Sequence, residues 1–219
     1  MATHANTERR LSQSDRRART RSALLEAAAR GLSRYGYANL VLEQVAREAG
    51  YSRGALYHLF VDKEDLAKAV LAWVNETWQA EVGYRLTEAA NPTDALVGLA
   101  RAHAVYCRRD VARVILTLRV EFSGQEHPLG RAIEDTLDHL ATDCARLISA
   151  GRRAATIPPG PPPRVVALGM VGALEGLVIN VAGNAPFDEA LAEGVVRGVL
   201  GLPPAPDMTR HTRRSSTNR

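Results

Sequence analysis

The sequence predicts an all-α protein with a helix-turn-helix near its N-terminus, and three observations predict it. Apolar residues recur at three- and four-residue steps along most of the chain, with no convincing half-buried strand. The stretch Leu42–Phe60, LEQVAREAGYSRGALYHLF, has the spacing of two short crossed helices around Gly50. Ile157–Pro163, IPPGPPP, can hold neither helix nor sheet and sets two further apolar helices apart as a stiff crossover. At 219 residues the chain buries a sizeable core, either as one larger domain or as a small one fused to a medium one.

The elements follow in order. Leu24 or Leu25, Ala28, Leu32 and Tyr35 keep a helical period, and Gly36 ends that helix in a left-handed cap. Met1–Ala18 is polar, rich in arginine and expected to be mobile, with a second use as a basic arm over DNA. Val45 and Ala46 face inward on the next helix, and Gly50 supplies the turn. Ser52 is an N-cap for the helix that follows, with Leu56 and Leu59 turned back onto the first. Arg53, Ala55, Tyr57 and His58 are then left facing outward. A guanidinium there suits guanine, and hydroxyl or imidazole groups suit phosphates, whereas a plain solvated helix more often carries Glu and Lys.

Asp62 caps a long helix with Leu66, Val70, Trp73 and Thr77 on one side. Asn91–Pro92 starts another, with Ala95, Leu99, Ala102 and Tyr106 inward, because asparagine caps and proline is pre-set for the first helical position. Val111–Phe122 is apolar, and Leu129–Ala150 has an acidic outer face and stops at Gly151. Val165–Val181 is apolar nearly all round and carries Gly169, Gly172 and Gly176, which permit close approach of a helix from the same chain or from a second copy. Asp188–Leu200 is amphipathic and ends at Gly201.

Charge is uneven. Met1–Lys68 carries a net +4, Ala69–Leu202 a net −3 and the tail a net +3. The positive share thus lies beside the helix-turn-helix, where it steers the chain to phosphates and favours counterion release.

Gly36–Tyr37, Val45–Ala46, Gly50, Ser52, Gly54, Leu56–Tyr57, Phe60, Lys63–Glu64 and Leu66 together resemble the signature of TetR-type transcriptional regulators, over roughly Arg21–Val70. The resemblance implies an all-helical homodimer with an N-terminal three-helix DNA-binding domain and a C-terminal helical ligand-binding and dimerisation domain. It places Ser52, Arg53, Ala55, Tyr57 and His58 on the recognition helix, and Lys63 on a phosphate contact at the start of the connecting helix. On this basis the chain divides into a flexible basic arm (1–18), a helix-turn-helix domain (19–66), a ligand and dimer domain (67–202) and a disordered basic tail (203–219). Leu59 stands where the family often has His or Tyr, and Leu40, Val41 and Leu42 where it often has threonines, which removes phosphate donors; Asn39 is the replacement N-cap.

The implied function is a repressor that holds a near-palindromic operator and is released by a small, mostly apolar effector, with an activator, a ligand-independent regulator or a helical metal-dependent enzyme as alternatives. Trp73, His103, Tyr106, Phe122, Met170, Glu175 and Asn180 are the candidate ligand contacts, in a cavity between the helices beginning near Asp62, Pro92 and Val111. Glu175, an acid in an apolar helix, fits a cationic ligand or the wet edge of a dimer interface. The dimer is expected through 165–181 and 188–200.

Asp135, Asp138 and His139 have a spacing that would allow a divalent metal, but they read more simply as a solvated acidic face, so neither metal nor cofactor is expected. No phosphate loop, nucleophile elbow or zinc helix supports an enzyme. Cys107 and Cys144 lack metal-ligand spacing and read as core thiols. With no apolar run of membrane length and no signal-peptide core, a cytoplasmic protein that does not enter the membrane is expected.

Overall fold

The computed structural model describes residues 12–180, 185 and 187–205, with the backbone alone at Val178 and Asn180. Most of the expected arm and tail, 1–11 and 206–219, and Val181 lie outside the described residues. All regular structure among the described residues is helical: α1 (Gln13–Tyr35), α2 (Leu42–Glu48), α3 (Arg53–Tyr57), α4 (Lys63–Trp78), a π-helical turn (Gln79–Gly83), α5 (Arg85–Glu88), α6 (Pro92–Tyr106), a 3₁₀ turn (Asp110–Arg113), α7 (Val114–Glu121), α8 (Pro128–Arg153), α9 (Pro163–Asn180) and α10 (Phe187–Leu200).

α1 starts earlier than the apolar period suggests. Ser12 Oγ accepts from the Asp15 amide at 3.1 Å while the Asp15 carboxylate takes the Ser12 amide at 3.0 Å, a capping box that carries helix through residues 13–18. At the other end Gly36 has φ +75°, which favours glycine, and a Cβ there would stand 2.6 Å from the Glu121 carboxylate and push it aside. Gly50, at φ +78°, makes the turn between α2 and α3, and Ser52 caps α3 through the Ala55 amide at 3.2 Å. Asp62 caps α4 and Asn91 caps α6, each through the amide three residues on.

Four local expectations are corrected. Asn39 does not cap α2, which starts after Val41 with no side-chain cap; its amide instead donates to the Tyr35 carbonyl at the end of α1. Gly151 does not end α8. It is buried within the last turns, where a Cβ would lie 2.6 Å from Ile157, and the helix runs on to Arg153. The buried stripe of α4 steps by four through Leu66, Val70, Val74 and Trp78, which leaves Trp73 and Thr77 half-buried at its edge. Val111 sits in the 3₁₀ turn, so the helix ending at Glu121 begins at Val114.

Two apolar cores result. One joins Leu24, Leu32, Val45, Leu56 and Leu66 of the first four helices to Val114, Leu118, Phe122, Leu129 and Ile133 of α7 and α8. The other packs α6, α8, α9 and α10 around Leu96, Leu99, Cys144, Ile148, Met170 and Val196. α10 is pinned to α6 and the turn after it by ion pairs. Asp188, 1% exposed, takes two bonds from Arg108 at 2.8 and 2.9 Å, and Glu193 takes Arg101 at 2.9 Å. No described helix is long and apolar enough to cross a membrane.

Candidate nucleic-acid interface and ligand cavity

The outer face of α3 is built by its inner one. Leu56 is fully buried and Leu59 half-buried against the first core, so Arg53, Tyr57 and His58 are turned to the surface. Arg53 pairs with Glu43 of α2 at 2.9 Å and lies 5.3 Å from the centre of the Tyr57 ring. Such an exposed pair is worth little, so the guanidinium can be drawn away by a stronger acceptor. Ser52 is exposed but spends its hydroxyl on the cap, and Ala55 is half-buried rather than outward. Arg16, Arg17, Arg19 and Arg21 are exposed on the first turns of α1.

Lys63 is tied to the loop between α1 and α2. Its ammonium donates to the Ala38 carbonyl at 2.8 Å and sits 4.7 Å from the Tyr37 ring, and burial pulls its pKa down while the Glu121 charge opposes that pull. The same loop is held from α7. Glu121 accepts from the Tyr37 and Ala38 amides at 2.6 and 2.7 Å, Thr117 donates to the Ser33 carbonyl, and Asp110, just before α7, binds Ser33 and Arg34. Ser33, Arg34, Asp110, Thr117 and Glu121 did not stand out in the sequence, because these partners are 76–84 positions apart.

Behind α7 lies a cavity of about 100 Å³. Val74, Trp78, Ile115, Leu116, Leu137 and Leu174 form its apolar wall, and Asn75, Gln79, His103, Tyr106, Thr136 and Glu175 its polar edge. Of the expected ligand contacts, His103, Tyr106 and Glu175 come together here. Trp73 does not, because it packs toward the first core. Phe122 stacks on His127 at 4.2 Å and contacts Tyr37 in that same core, and Met170 is sealed in the second. The Asn180 side chain lies outside the described residues. Trp78 lines the cavity and donates its indole N–H to His103 Nδ1 at 3.0 Å. Glu175 is paired with Arg119 of α7.

The acidic face of α8 is tied up locally. His139 Nδ1 is bonded to the Asp135 carbonyl and Asp138 is paired with Arg164, and no three metal-ligating side chains converge among the described residues.

Because an indole N–H can only donate, His103 Nδ1 is unprotonated and the neutral ring carries its proton on Nε2, 3.4 Å from Cys107 Sγ. Burial lowers the His103 pKa from 6.5 to about 4. Between those values the unfolded chain binds a proton that the folded chain refuses, so stability is fully present above pH 6.5 and falls with pH through that window, by up to about 3 kcal/mol. Tyr106, pushed up to about 12 by burial, is silent there. Denaturant titrations at pH 7 and 4.5 should show the loss, and His103→Gln should shrink it; an equal loss in both proteins would assign it to another group.

Among the described residues an exposed Arg–Tyr–His face on the second helix of a helix-turn-helix, with a mostly apolar cavity behind α7, is the arrangement of a DNA-reading regulator. Residues 24–70 match the model of the bacterial regulatory proteins of the tetR family, so this N-terminal segment is similar to the DNA-reading part of those regulators. It is 28% identical over 165 residues to the A-factor receptor protein of Streptomyces griseus, a match spanning 74% of this chain and 55% of that protein. It is also 33% identical over 89 residues to the HTH-type transcriptional regulator HbdR of an Aromatoleum species, spanning 40% of this chain and 37% of that one. The chain thus spans about half or less of the length of these relatives. Its fold matches AibR, solved with isovaleryl coenzyme A and operator DNA, at a TM-score of 0.71 and 21% identity over 85% of this chain and 100% of AibR.

Proposed function

We propose that the chain is a homodimeric repressor that grips a near-palindromic operator through Arg53, Tyr57, His58 and Lys63, and lets go when a small, mostly apolar effector enters the cavity behind α7. In this reading 19–66 reads DNA, while 67–202 holds the effector and the second copy. The observation that carries it is the exposed Arg53–Tyr57–His58 face, supported by the family and by AibR, whose structure holds both operator DNA and a small molecule. Arg53→Ala is expected to relax base preference at one position of each half-site and to cost about 1–3 kcal/mol, whereas Tyr57→Phe weakens binding about equally on all sequences. Selection from a randomised operator separates the two. Unchanged base preference in Arg53→Ala would remove Arg53 from base reading.

The dimer reading rests on the outer face of α9. Val165, Leu168 and Ile179 are 57%, 52% and 65% exposed, and a Cβ built on Gly169 or Gly172 meets nothing within 4 Å. The glycines therefore do not serve packing inside the chain. Phe187 and Leu191 of α10 extend the apolar surface, and a twofold protein matches two half-sites on one face of DNA. Gly172→Phe is expected to leave the protomer folded and weaken the dimer, read by light scattering against concentration. A monomer at micromolar concentration in the unmutated protein would refute the assignment.

A further inference from the structure

Glu175 offers the cavity an unspent acceptor. Its Oε2 is paired with Arg119, while Oε1 is shut off from bulk solvent and accepts no hydrogen bond. A buried acceptor in that state costs free energy until a donor reaches it. Three of the other polar groups at the edge are engaged: Thr136 donates to the Ala132 carbonyl, Tyr106 to the Val74 carbonyl, and His103 accepts from Trp78, while the Asn75 and Gln79 amides also belong to the lining. The charge of Glu175 is already matched by Arg119, so an ammonium would bring an unmatched positive charge and a carboxylate would meet Oε1 with no proton to give. A neutral hydroxyl or N–H fits. An apolar cavity of about 150 Å³ in another protein admits benzene, which makes about 100 Å³ here the scale of one small ring after slight widening.

We infer that the cavity selects a neutral, mostly apolar ligand carrying a hydrogen-bond donor, which it gives to Glu175 Oε1. This rests on the effector reading above and names the chemistry that reading leaves open. In the Glu175→Gln variant the amide carbonyl faces Arg119, since guanidinium can only donate, and the NH₂ takes the place of Oε1. An acceptor on the ligand is then preferred to a donor.

Calorimetric titration of the full chain without DNA, using phenol, anisole and benzylammonium, tests this. Phenol is expected to bind about tenfold or more tightly than anisole, its methylated counterpart, and more tightly than the cation. Glu175→Gln should abolish or reverse the preference for phenol over anisole. Equal affinities for phenol and anisole in the unmutated protein, tighter binding of benzylammonium, or no binding of any of the three at millimolar concentration would overturn the inference. Since no DNA is present, such a failure leaves the DNA reading intact, and a failure of operator binding leaves this selectivity to stand or fall on its own.

Discussion

Glu121→Ala is expected to disconnect the cavity from the DNA-reading helices. α7 touches both: Ile115 and Leu116 line the cavity and Arg119 pairs with Glu175, while Thr117 and Glu121 hold the end of α1 and the loop that follows it. The loop matters because Ala38 also receives Lys63, the first residue of α4. A ligand that moves α7 therefore pulls on the α1–α2 loop and on the proposed phosphate contact together. This lateral route runs beside the covalent one, in which the chain passes from the DNA-reading helices straight into α4. Reciprocal weakening of effector and operator is typically about 5–150-fold, and without the Glu121 carboxylate the operator response should fall toward none while ligand affinity is kept. Two charge-assisted bonds are lost as well, at a cost of about 1–3 kcal/mol, since the loop is partly wet. Hydrogen exchange offers a check independent of the effector: the Tyr37 and Ala38 amides, slow in the unmutated protein, should exchange fast in the variant. Unchanged exchange and an unchanged operator response would return the whole coupling to α4.

Asp188→Ala is expected to cost about 2–4 kcal/mol. Its carboxylate is 1% exposed and accepts two bonds from Arg108, which also pairs with Glu189 at 2.7 Å. Removing one partner of a sealed pair so that the other has none costs about 3–5 kcal/mol; here Arg108 retains Glu189 and keeps 30% of its side chain exposed, and both lower the expectation. The Arg108 hydrogen bonds hold the Asp188 pKa below 3.8, so the stability they confer is present above that pH and is lost as pH falls through the lower folded value. Urea unfolding at pH 7 checks the first statement. A change below about 0.5 kcal/mol would show that the Arg108–Asp188 pair does not help to hold α10 in place.

What the sequence determined by itself is local. Ser52, Asp62 and Asn91 cap the helices they precede, Gly36 and Gly50 take positive φ, IPPGPPP ends one helix before another, and Arg53, Tyr57 and His58 are exposed on α3. Each of these depends on residues within about one helical turn, where side chain and backbone meet whatever the rest of the chain does. The spacing of Leu56 already pointed α3 inward on one side and outward on the other.

Tertiary structure decided the rest. Phe122 and Trp73 have the same aromatic character as Tyr106 and Trp78, yet the first pair serves a core and the second pair a cavity. Periodicity tells which side of a helix is buried but not what it is buried against, because any apolar neighbour satisfies it equally. Glu121, and Arg119 as the partner of Glu175, were silent for a related reason. A carboxylate on a helix surface looks the same in sequence whether water or a pair of amides 84 residues away receives it, and only the packing of α7 between the two cores chooses.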